Sequence, residues 1–347
     1  MVIVVIAALA IWGLGHAFRV PMAVRVWMLV LLYLAVLVAF WILPNAGQSM
    51  GGTQVEWLLL GGAIGAGWLY FRFVKAMKSR ATRSAVTETN NRTFSATELD
   101  RYARHIVMRE IGGPGQKRLK QARVLVIGAG GLGAPVLQYL TAAGVGTIGV
   151  IDDDVVENSN LQRQVIHKDA AIGTPKVFSA EAEMLAQNPN ITVKPYHRRL
   201  DAEIVAELFA DYDLILDGTD NFDTRYLVND TCVKLGKPLI TAALSQWEGQ
   251  ISTYDPANGA PCYACVYPDP PAPGLSPSCA EGGVLGPLPG VLGAMMAVET
   301  VKEIAGAGEG LRGRMMIYDA LYGENRVVKV HRRDGCDVCA SQQSDIA

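Results

Sequence analysis

The sequence lacks a marked excess of charge of either sign. Its formal net charge is −2 over 347 residues, and 18% of the residues are charged. Nothing in this balance points to nucleic acid as a partner. The sequence also lacks internal repeats, and its length leaves room for one large domain or two modest ones.

Hydrophobic residues make up 50% of the chain and are concentrated in its first part. Three apolar stretches lie there, at 1–18, 26–43 and 55–73. Because a membrane-spanning helix needs about 20 mostly apolar residues, residues 1–78 are predicted to form about three transmembrane helices in a lipid bilayer. A buried helical hairpin of a soluble protein is the alternative, but no polar face interrupts the second stretch.

Basic residues set the expected orientation of this region. Arg19 and Arg25 lie between the first two stretches, Arg72 ends the third, and the loop between the second and third has no Lys or Arg. The positive-inside rule therefore predicts a multi-pass protein of the inner (plasma) membrane with a cytoplasmic C-terminal part. A signal peptide is the alternative for the first stretch, although apolar residues follow Met1 directly, without the basic start of signal peptides.

Residues 79–95 are polar and have no hydrophobic periodicity, so we expect a flexible linker there. From 96 to 347, apolar strand-like runs such as "ARVLVIGAGG" and "GTIGVIDDD" alternate with helical patterns. This alternation predicts an α/β domain with a Rossmann-like, doubly wound, mostly parallel sheet. Ligands of such sheets bind at the C-terminal ends of the strands.

A glycine turn follows the first of these strands. Gly128, Gly130 and Gly133 match the G-x-G-x-x-G pattern of phosphate-binding turns. Asp152 ends the next strand, where Rossmann domains place the carboxylate that binds ribose hydroxyls. NAD and ATP fit these features equally, and a glycine turn that only allows helix–strand packing is a third interpretation.

Residues further along the chain favour ATP. Asn160, Arg163 and Lys176 follow the ribose carboxylate, and two cations suit a triphosphate, which carries more charge than a dinucleotide pyrophosphate. Asp217 and Asp220 follow a later strand, and a carboxylate beside phosphates is repulsive unless Mg²⁺ bridges them. We therefore expect ATP and Mg²⁺ at this site.

Four of the six cysteines form two C-x₂-C pairs, Cys262 with Cys265 and Cys336 with Cys339. Disulfides are not expected in a reducing cytoplasm, and two such pairs complete a tetrahedral Zn²⁺ site. With four thiolate ligands no position stays open for water, so the zinc would be structural. A redox-active C-x-x-C is the alternative, although neither pair lies between a strand and a helix.

Six stretches resemble, in order, the MoeB/ThiF/HesA family of ubiquitin-activating-enzyme-like adenylyltransferases. They are "RYARHIVMREIGGPGQKRL", "GAGGLG", "IDDDVVENSNLQRQ", "TPK", "LDGTDN" and "SCAEGGVLGPLPGVLGAMMAVETVK". The resemblance covers roughly residues 98–339 and is closest to the molybdopterin-synthase adenylyltransferases. The membrane stretches are not part of the usual family pattern, whereas the tetrathiolate zinc site is.

The resemblance implies roles for residues of these stretches. Gly131 would offer its backbone N–H to a phosphate, Asp152 would hold the ribose, and Asp220, with Asn221 beside it, would position Mg²⁺. Further contacts with ATP are implied for Ser159, Asn160, Leu161, Gln162, Arg163 and Lys176.

Two residues outside this set carry open alternatives. Arg104 resembles the arginine that family dimers insert into the neighbouring subunit's site, so a homodimer is expected; a solvated helix charge is the alternative. Cys279 lies in a Pro/Gly-rich loop, at the position where some members bind the carrier covalently. Other members adenylate without that thiol, so its catalytic role stays open. Cys232 lies within a helical pattern and is interpreted as a core residue.

The implied substrate is a ubiquitin-fold sulfur-carrier protein ending in Gly-Gly, whose carboxylate would attack the α-phosphorus of ATP and release pyrophosphate. A MoaD-like carrier of molybdenum cofactor biosynthesis is favoured, and a ThiS-like carrier of thiamine biosynthesis is the alternative. Catalysis would rest on positioning and on charge stabilisation by Arg104, Arg163, Lys176 and Mg²⁺. An NAD-dependent oxidoreductase and a non-catalytic, membrane-tethered nucleotide-binding module are more distant alternatives.

Overall fold

The structure is a computed structural model that describes residues 2–18, 20–42, 53–89, 93–271 and 282–340. The chain forms two compact units, Met1–Arg92 and Thr93–Ala347. The boundary between them falls within the stretch 79–95.

The described part of the N-terminal unit is helical. It contains α1 (Val2–Ala17), α2 (Met22–Ile42) and α3 (Gln54–Thr89). The expected flexible linker is therefore helical as far as Thr89. The physical reason is that residues 79–89 contain neither proline nor glycine, the two residues that most strongly interrupt helices.

Two segments of this unit are long and apolar enough to cross a membrane, Val24–Ile42 and Gln54–Val74. The apolar part of α1, Ile6–His16, is shorter, so the three expected spans are reduced to two candidates in the described chain. Only 6% of the most apolar window of each candidate is buried. Length and composition are thus compatible with a membrane span, and the exposure differs from that of a core helix in a soluble protein.

The second unit begins with a capped helix. Ser95 Oγ accepts a hydrogen bond from the backbone N–H of Glu98 (3.2 Å), and Glu98 Oε2 accepts one from the N–H of Ser95 (2.9 Å), which is a complete capping box. The capped helix is α4 (Ala96–Arg101). The helices after it are α5 (Ala103–Ile106), α6 (Gly112–Gln121), α7 (Gly133–Ala143), α8 (Lys176–Gln187), α9 (Val205–Ala210), α10 (Phe222–Leu235), α11 (Tyr263–Val266) and α12 (Pro287–Ala305).

Eight strands form one sheet in the order β3-β2-β1-β4-β5-β6-β7-β8. They are β1 (Arg123–Ile127), β2 (Thr147–Ile151), β3 (Thr192–Tyr196), β4 (Leu214–Asp217), β5 (Leu239–Leu244), β6 (Glu248–Tyr254), β7 (Arg314–Asp319) and β8 (Glu324–Lys329). The first five are parallel to one another, and β6, β7 and β8 pair antiparallel. The sheet is therefore mixed rather than mostly parallel, because the short links β5–β6 and β7–β8 contain no crossover helix.

Strands β1, β2 and β4, in the middle of the parallel half, are buried on both faces, whereas the edge strand β3 is only partly buried. In β1, Val124 and Val126 pack into a cluster with residues of α7 and α12, whereas Leu125 and Ile127 pack into a second cluster with residues of α9 and α10. This two-sided burial explains the continuous apolar run of the strand.

The chain reverses its direction of winding between β1 and β4. These strands are neighbours, with Val126 opposite Leu216 and Ile127 opposite Asp217, although β2 and β3 intervene in sequence. A ligand crevice is expected at such a point, outside the carboxyl ends of the strands.

Candidate nucleotide and metal sites

A cavity of about 780 Å³ lies at this point of the sheet. Its lining combines residues that follow β1, β2, β3 and β4 with residues of the 3₁₀ turn at Asn158–Asn160 and of α8. The charged lining residues of both signs are Asp152, Asp153, Asp154, Glu157, Asp220, Arg163, Lys176, Arg198, Arg199 and Arg225. Such a mixed lining suits a ligand with anionic phosphates and neutral hydroxyls.

The glycine turn brings the backbone close to this cavity. Gly128 has φ +91°, in the region that favours glycine, and its N–H donates to Ile151 O (2.8 Å). A Cβ on Gly133 would lie 1.9 Å from Gly128 O, so α7 can begin against the turn only with glycine there. Gly131 lines the cavity beside the start of α7, where free backbone N–H groups favour an anion.

Asp152 is fixed against the glycine turn. Its Oδ2 accepts from the N–H of Ala129 (2.8 Å), and its Oδ1 accepts from the N–H of Asp154 (2.9 Å). Burial raises the pKa of Asp152, and the Lys176 ammonium and these two hydrogen bonds oppose the rise. Each carboxylate oxygen keeps a further lone pair, so the group can still accept from hydroxyls of a ligand.

Lys176 is the first residue of α8, and it lines the cavity. Its Nζ lies 2.6 Å from Asp154 Oδ2; the lysine side chain is 6% exposed and the aspartate side chain 66%. The ion pair therefore joins a buried cation to a hydrated carboxylate. The Lys176 ammonium can turn to an anion that enters the cavity, because water can solvate the Asp154 carboxylate once the ion pair is broken.

The segment after β2 contributes Asn160 and Arg163. Arg163 Nη2 donates to Asn160 Oδ1 (2.9 Å), and its Nη1 donates to Ser159 O (3.2 Å). Both residues line the cavity. Among the residues expected to contact ATP, three do not line it: Ser159, Leu161 and Gln162.

The end of β4 contributes the next part of the lining. Asp220 and Asn221 both line the cavity, and Asn221 Oδ1 caps α10 by accepting from Thr224 N (2.9 Å). The Asp220 carboxylate is exposed and has no hydrogen bond or ion pair to the described part of the chain, so it can bind an external cation. Asp217 is buried and accepts from Thr219, which gives it a structural position.

Arg104 does not line the cavity of its own chain. It lies exposed on α5. Its position leaves open both expectations, a solvated helix charge and a contribution to another copy's site.

Several lining or supporting residues were not predicted from sequence. Arg198, Arg199 and Arg225 line the cavity, and Gln164, which is 4% exposed, has an Oε1 atom without a hydrogen-bond partner in the described residues. Gln164 belongs to the quoted "NLQRQ" motif, so its place in that motif was the available signal. The arginines stand in no motif that marks them.

His167 contacts the glycine turn and does not line the cavity. Its Nε2 lies 2.9 Å from Ala129 O, and its Nδ1 lies 2.9 Å from Ser179 Oγ. Burial lowers the pKa of His167. A neutral ring can donate to the carbonyl through Nε2 and accept from the hydroxyl through Nδ1.

The two C-x₂-C pairs meet in one buried cluster. The Sγ–Sγ distances are 3.8 Å for Cys262–Cys265, 3.7 Å for Cys262–Cys336 and 3.5 Å for Cys265–Cys339. These distances are far longer than a disulfide bond, and tetrahedral Zn–S bonds of about 2.3 Å place the sulfurs about 3.8 Å apart. The geometry therefore fits a four-thiolate metal site and leaves no ligand position for water.

The thiols of this cluster influence one another. Burial raises the pKa of Cys262, and the neighbouring thiols add to the rise. Burial likewise raises the pKa of Cys339, to about 11. In Cys336, backbone N–H donors from Cys339 and Val338 outweigh burial and lower the pKa to about 7. A divalent cation at the centre would offset the repulsion between thiolates.

The other two cysteines are not part of the cluster. Cys232 is 2% exposed within the core, as expected, and burial raises its pKa well above the ordinary value. Cys279 lies outside the described residues.

Fold and site together define an α/β domain of the Rossmann-like class with a charged cavity beside the glycine turn and a four-cysteine cluster that could hold a metal ion. Residues 102–338 match the ThiF family, and the chain belongs to that family. The family predicted from the sequence is thus confirmed.

Two relatives carry informative names. The chain is 48% identical over 253 residues to the sulfur carrier protein adenylyltransferase of Thermus thermophilus, covering 72% of this chain and 93% of that protein. It is 52% identical over 242 residues to a probable adenylyltransferase/sulfurtransferase, MoeZ, of Mycobacterium tuberculosis, covering 69% of this chain and 62% of that protein. The predicted enzyme class, adenylyltransferase, is therefore confirmed.

Solved structures of similar fold include that of E. coli MccB with ATP. The TM-score is 0.60 at 24% identity, and the match covers 72% of this chain and 76% of that one. This likeness concerns the fold of the α/β domain.

Proposed function

We propose that this protein adenylates the C-terminal carboxylate of a sulfur-carrier protein, with ATP as the second substrate and pyrophosphate as the product. One observation carries the proposal: four separate stretches of the chain bring Asp152, Arg163, Lys176 and Asp220 to one cavity beside the glycine turn. The name of the Thermus thermophilus relative supports a sulfur carrier as the partner.

The reaction needs little proton transfer. A C-terminal carboxylate has a pKa of about 3.5 and is ionised at neutral pH, so its oxygen can attack the α-phosphorus without a general base. A new O–P bond forms as the bond to the pyrophosphate oxygen breaks. Of the described residues, none that lines the cavity is a histidine or a cysteine, which agrees with catalysis by positioning and charge.

Five groups of the cavity have a role in this reaction. Gly131 offers its N–H to a phosphate, Asp152 accepts from the ribose hydroxyls, and Arg163 and Lys176 bind the phosphate oxygens. Asp220 is the residue that would hold Mg²⁺, and a hard cation bound by one carboxylate and substrate phosphates is a usual arrangement. The metal would neutralise phosphate charge.

A homodimer in which Arg104 enters the neighbouring site is part of this proposal. The exposure of Arg104 outside its own cavity supports it. The positive-inside pattern and the two apolar segments support attachment of the N-terminal unit to the inner membrane, with the α/β domain in the cytoplasm. Retention of the full-length chain in membranes after an alkaline carbonate wash tests that attachment; release into the wash would refute it.

The test of function is carrier-dependent ATP–pyrophosphate exchange by the full-length protein. Separate reactions would contain a MoaD-like carrier and a ThiS-like carrier. Exchange with the first assigns molybdenum cofactor biosynthesis, which we favour, and exchange only with the second assigns the thiamine pathway. Exchange with neither carrier would contradict the proposal.

Variants locate the activity in the cavity. Arg163→Ala and Asp220→Ala each remove a charged group from the lining, and loss of a comparable charge-stabilising contact costs about 3–4 kcal/mol of activation free energy, or roughly a hundredfold or more in rate. Arg109→Ala is the matched control, because Arg109 is 93% exposed and pairs with its neighbour Glu110. Equal exchange by all three variants would refute the site assignment.

A further inference from the structure

The wall of the nucleotide cavity contains a buried arginine. Arg225, near the start of α10, lines the cavity and is 6% exposed. Its Nη2 donates to Thr219 O and to Ala242 O, the latter at 3.0 Å. Nε and Nη1 are not among the buried polar atoms that lack a partner in the described chain, so their N–H groups stay open to a ligand.

The charge of Arg225 has no carboxylate partner in the described part of the chain. Its hydrogen bonds go to neutral carbonyl oxygens, and it forms no ion pair with the described residues. Asp217 is a buried carboxylate of the same region, but it accepts from Thr219 and Thr241. Arginine is rarely buried without a partner, because removing an unpaired cation from water is costly.

Arg312 shows how the same domain pairs a less buried arginine. Its side chain is 35% exposed, yet it lies 2.8 Å from Asp255 Oδ2 and also pairs with Glu303. Arg312 does not line the cavity. Arg225 is more deeply buried, lines the cavity and has no such partner. We therefore expect an anion that enters the cavity to complete the surroundings of Arg225.

The strand order indicates which anion this is. Under the proposed function, the ribose lies at Asp152, after β2, and the phosphates lie at the glycine turn, after β1. In the order β3-β2-β1-β4-β5, the strands β4 and β5 lie on the other side of β1 from β2. Arg225 contacts Thr219, which follows β4, and Ala242, which belongs to β5. It therefore lies beyond the phosphates, on the side from which a second substrate can approach the α-phosphorus.

The rest of the lining on this side makes Arg225 the cation for that substrate. Leu244 is apolar, and Asp220 carries a negative charge. The Asp220 carboxylate would repel a second carboxylate unless a cation lay beside them. Among the described lining residues from 218 to 244, Arg225 is the one cationic side chain.

We propose that Arg225 binds the C-terminal carboxylate of the carrier protein and selects it over an uncharged chain end. The inference rests on the proposed function, since it takes that carboxylate as the second substrate. One carboxylate oxygen accepts from the guanidinium, and the other attacks the α-phosphorus as the bond to pyrophosphate breaks. In the adenylate the first oxygen is the carbonyl oxygen, which can still accept from Arg225.

Calorimetry with two forms of the carrier tests the proposal. It uses the full-length protein saturated with Mg²⁺ and an ATP analogue whose α- and β-phosphorus are joined by a methylene group, so that no pyrophosphate leaves. The carrier that supports exchange is titrated once with its free C-terminal carboxylate and once with a C-terminal amide. Because the amide lacks the charge, we expect its Kd to be about ten to a hundred times higher.

Arg225→Gln removes the cation, and we expect its Kd values for the two carrier forms to agree within about threefold. The ratio separates binding from support. If Arg225 only held the Asp220 loop, its replacement would weaken both forms equally and leave the ratio of the parent. Arg163→Gln is the matched comparison, because it removes another arginine of the same cavity. It should weaken binding of the analogue and keep the preference for the carboxylate.

Separate results decide the two proposals. Absence of exchange with both carriers would overturn the proposed function. If exchange occurs and the parent binds both carrier forms equally, the inference about Arg225 is wrong and the proposed function stands. The inference is also wrong if Arg225→Gln, shown to be folded by circular dichroism, keeps the ratio of the parent.

Arg225→Lys decides the matter if Arg225→Gln does not fold. Lysine keeps the charge but lacks the planar fork that can hold both carbonyls and a carboxylate. The ratio of the two Kd values should therefore fall at least about threefold. An unchanged ratio in Arg225→Lys would overturn the inference.

Discussion

Replacement of Gly133 by alanine should disrupt the junction between the glycine turn and α7. The added Cβ would lie 1.9 Å from Gly128 O and 2.9 Å from Gly128 C. Carbon and oxygen atoms in contact need about 3.2 Å, so the turn and the helix must separate by more than 1 Å. The turn cannot yield freely, because Gly128 N–H donates to Ile151 O at 2.8 Å.

The magnitude follows from this overlap. Overpacking of a filled interior costs about 1–3 kcal/mol, and here the obstacle is backbone, which moves less easily than a side chain. We expect the Gly133→Ala variant to unfold with a free energy lower by about 3 kcal/mol. For a domain of this size that corresponds to a fall in Tm of roughly 6–12 °C. Thermal unfolding followed by circular dichroism measures it, and ATP should restore little of the loss.

Gly130→Ala is the control three residues earlier in the same turn. A Cβ there would meet Gln164 Nε2 at 3.6 Å, an ordinary contact, so the change in Tm should be small. Equal destabilisation by the two substitutions would refute the steric argument. A Gly133→Ala protein as stable as the parent would show that the turn and α7 can separate.

Three further predictions concern charges and metal. Burial lowers the pKa of His167 below its usual 6.5, so the neutral ring contributes to stability above pH 6.5 and this contribution is lost as the pH falls. Between about pH 7 and pH 5, the Tm of the parent should therefore fall more than the Tm of His167→Gln. Equal falls in Tm would contradict this. Asp154→Asn removes the carboxylate that pairs with the buried Lys176 ammonium and should lower the free energy of unfolding by about 1–2 kcal/mol. Lys176→Gln leaves an exposed carboxylate, which water solvates, and should lower it less. Urea unfolding measures both free energies. Cys336→Ser should lose zinc and several degrees of Tm, while Cys232→Ala, also a buried cysteine, should keep its zinc; equal metal content would contradict the cluster.

The central strands of the parallel half, β1, β2 and β4, were accessible to sequence reasoning because they are buried on both faces. The runs that became β1 and β4 are apolar without interruption, and such runs have few other structures open to them. In contrast, β8 is exposed along its whole length and reads as a mixed polar segment. Its place in the sheet is decided by pairing with β7, a contact that no local pattern records.

The candidate site shows the same division. Asp152, Lys176 and Asp220 stand at strand ends or in motifs, and all three line the cavity. Leu161 and Gln162 were expected from the family resemblance, yet the turn that presents Arg163 leaves them outside the lining. The ion pair between Lys176 and Asp154 joins residues 22 positions apart and could be found only in three dimensions.

The four-cysteine cluster closes a long loop, since Cys262 and Cys336 lie 74 positions apart. The loop encloses α12, β7 and β8, and α12 covers the core beside β5 and β6. A cross-link over this length removes chain entropy from the unfolded state worth about 4 kcal/mol. When a metal binds the four thiolates, it cross-links both ends of the segment from Cys262 to Cys336. This segment should then unfold together with the whole domain and should not unfold first from its C-terminal side. Unlike a disulfide, a metal cross-link can form under reducing conditions and can be removed by a chelator. The cooperativity of unfolding then depends on the supply of metal.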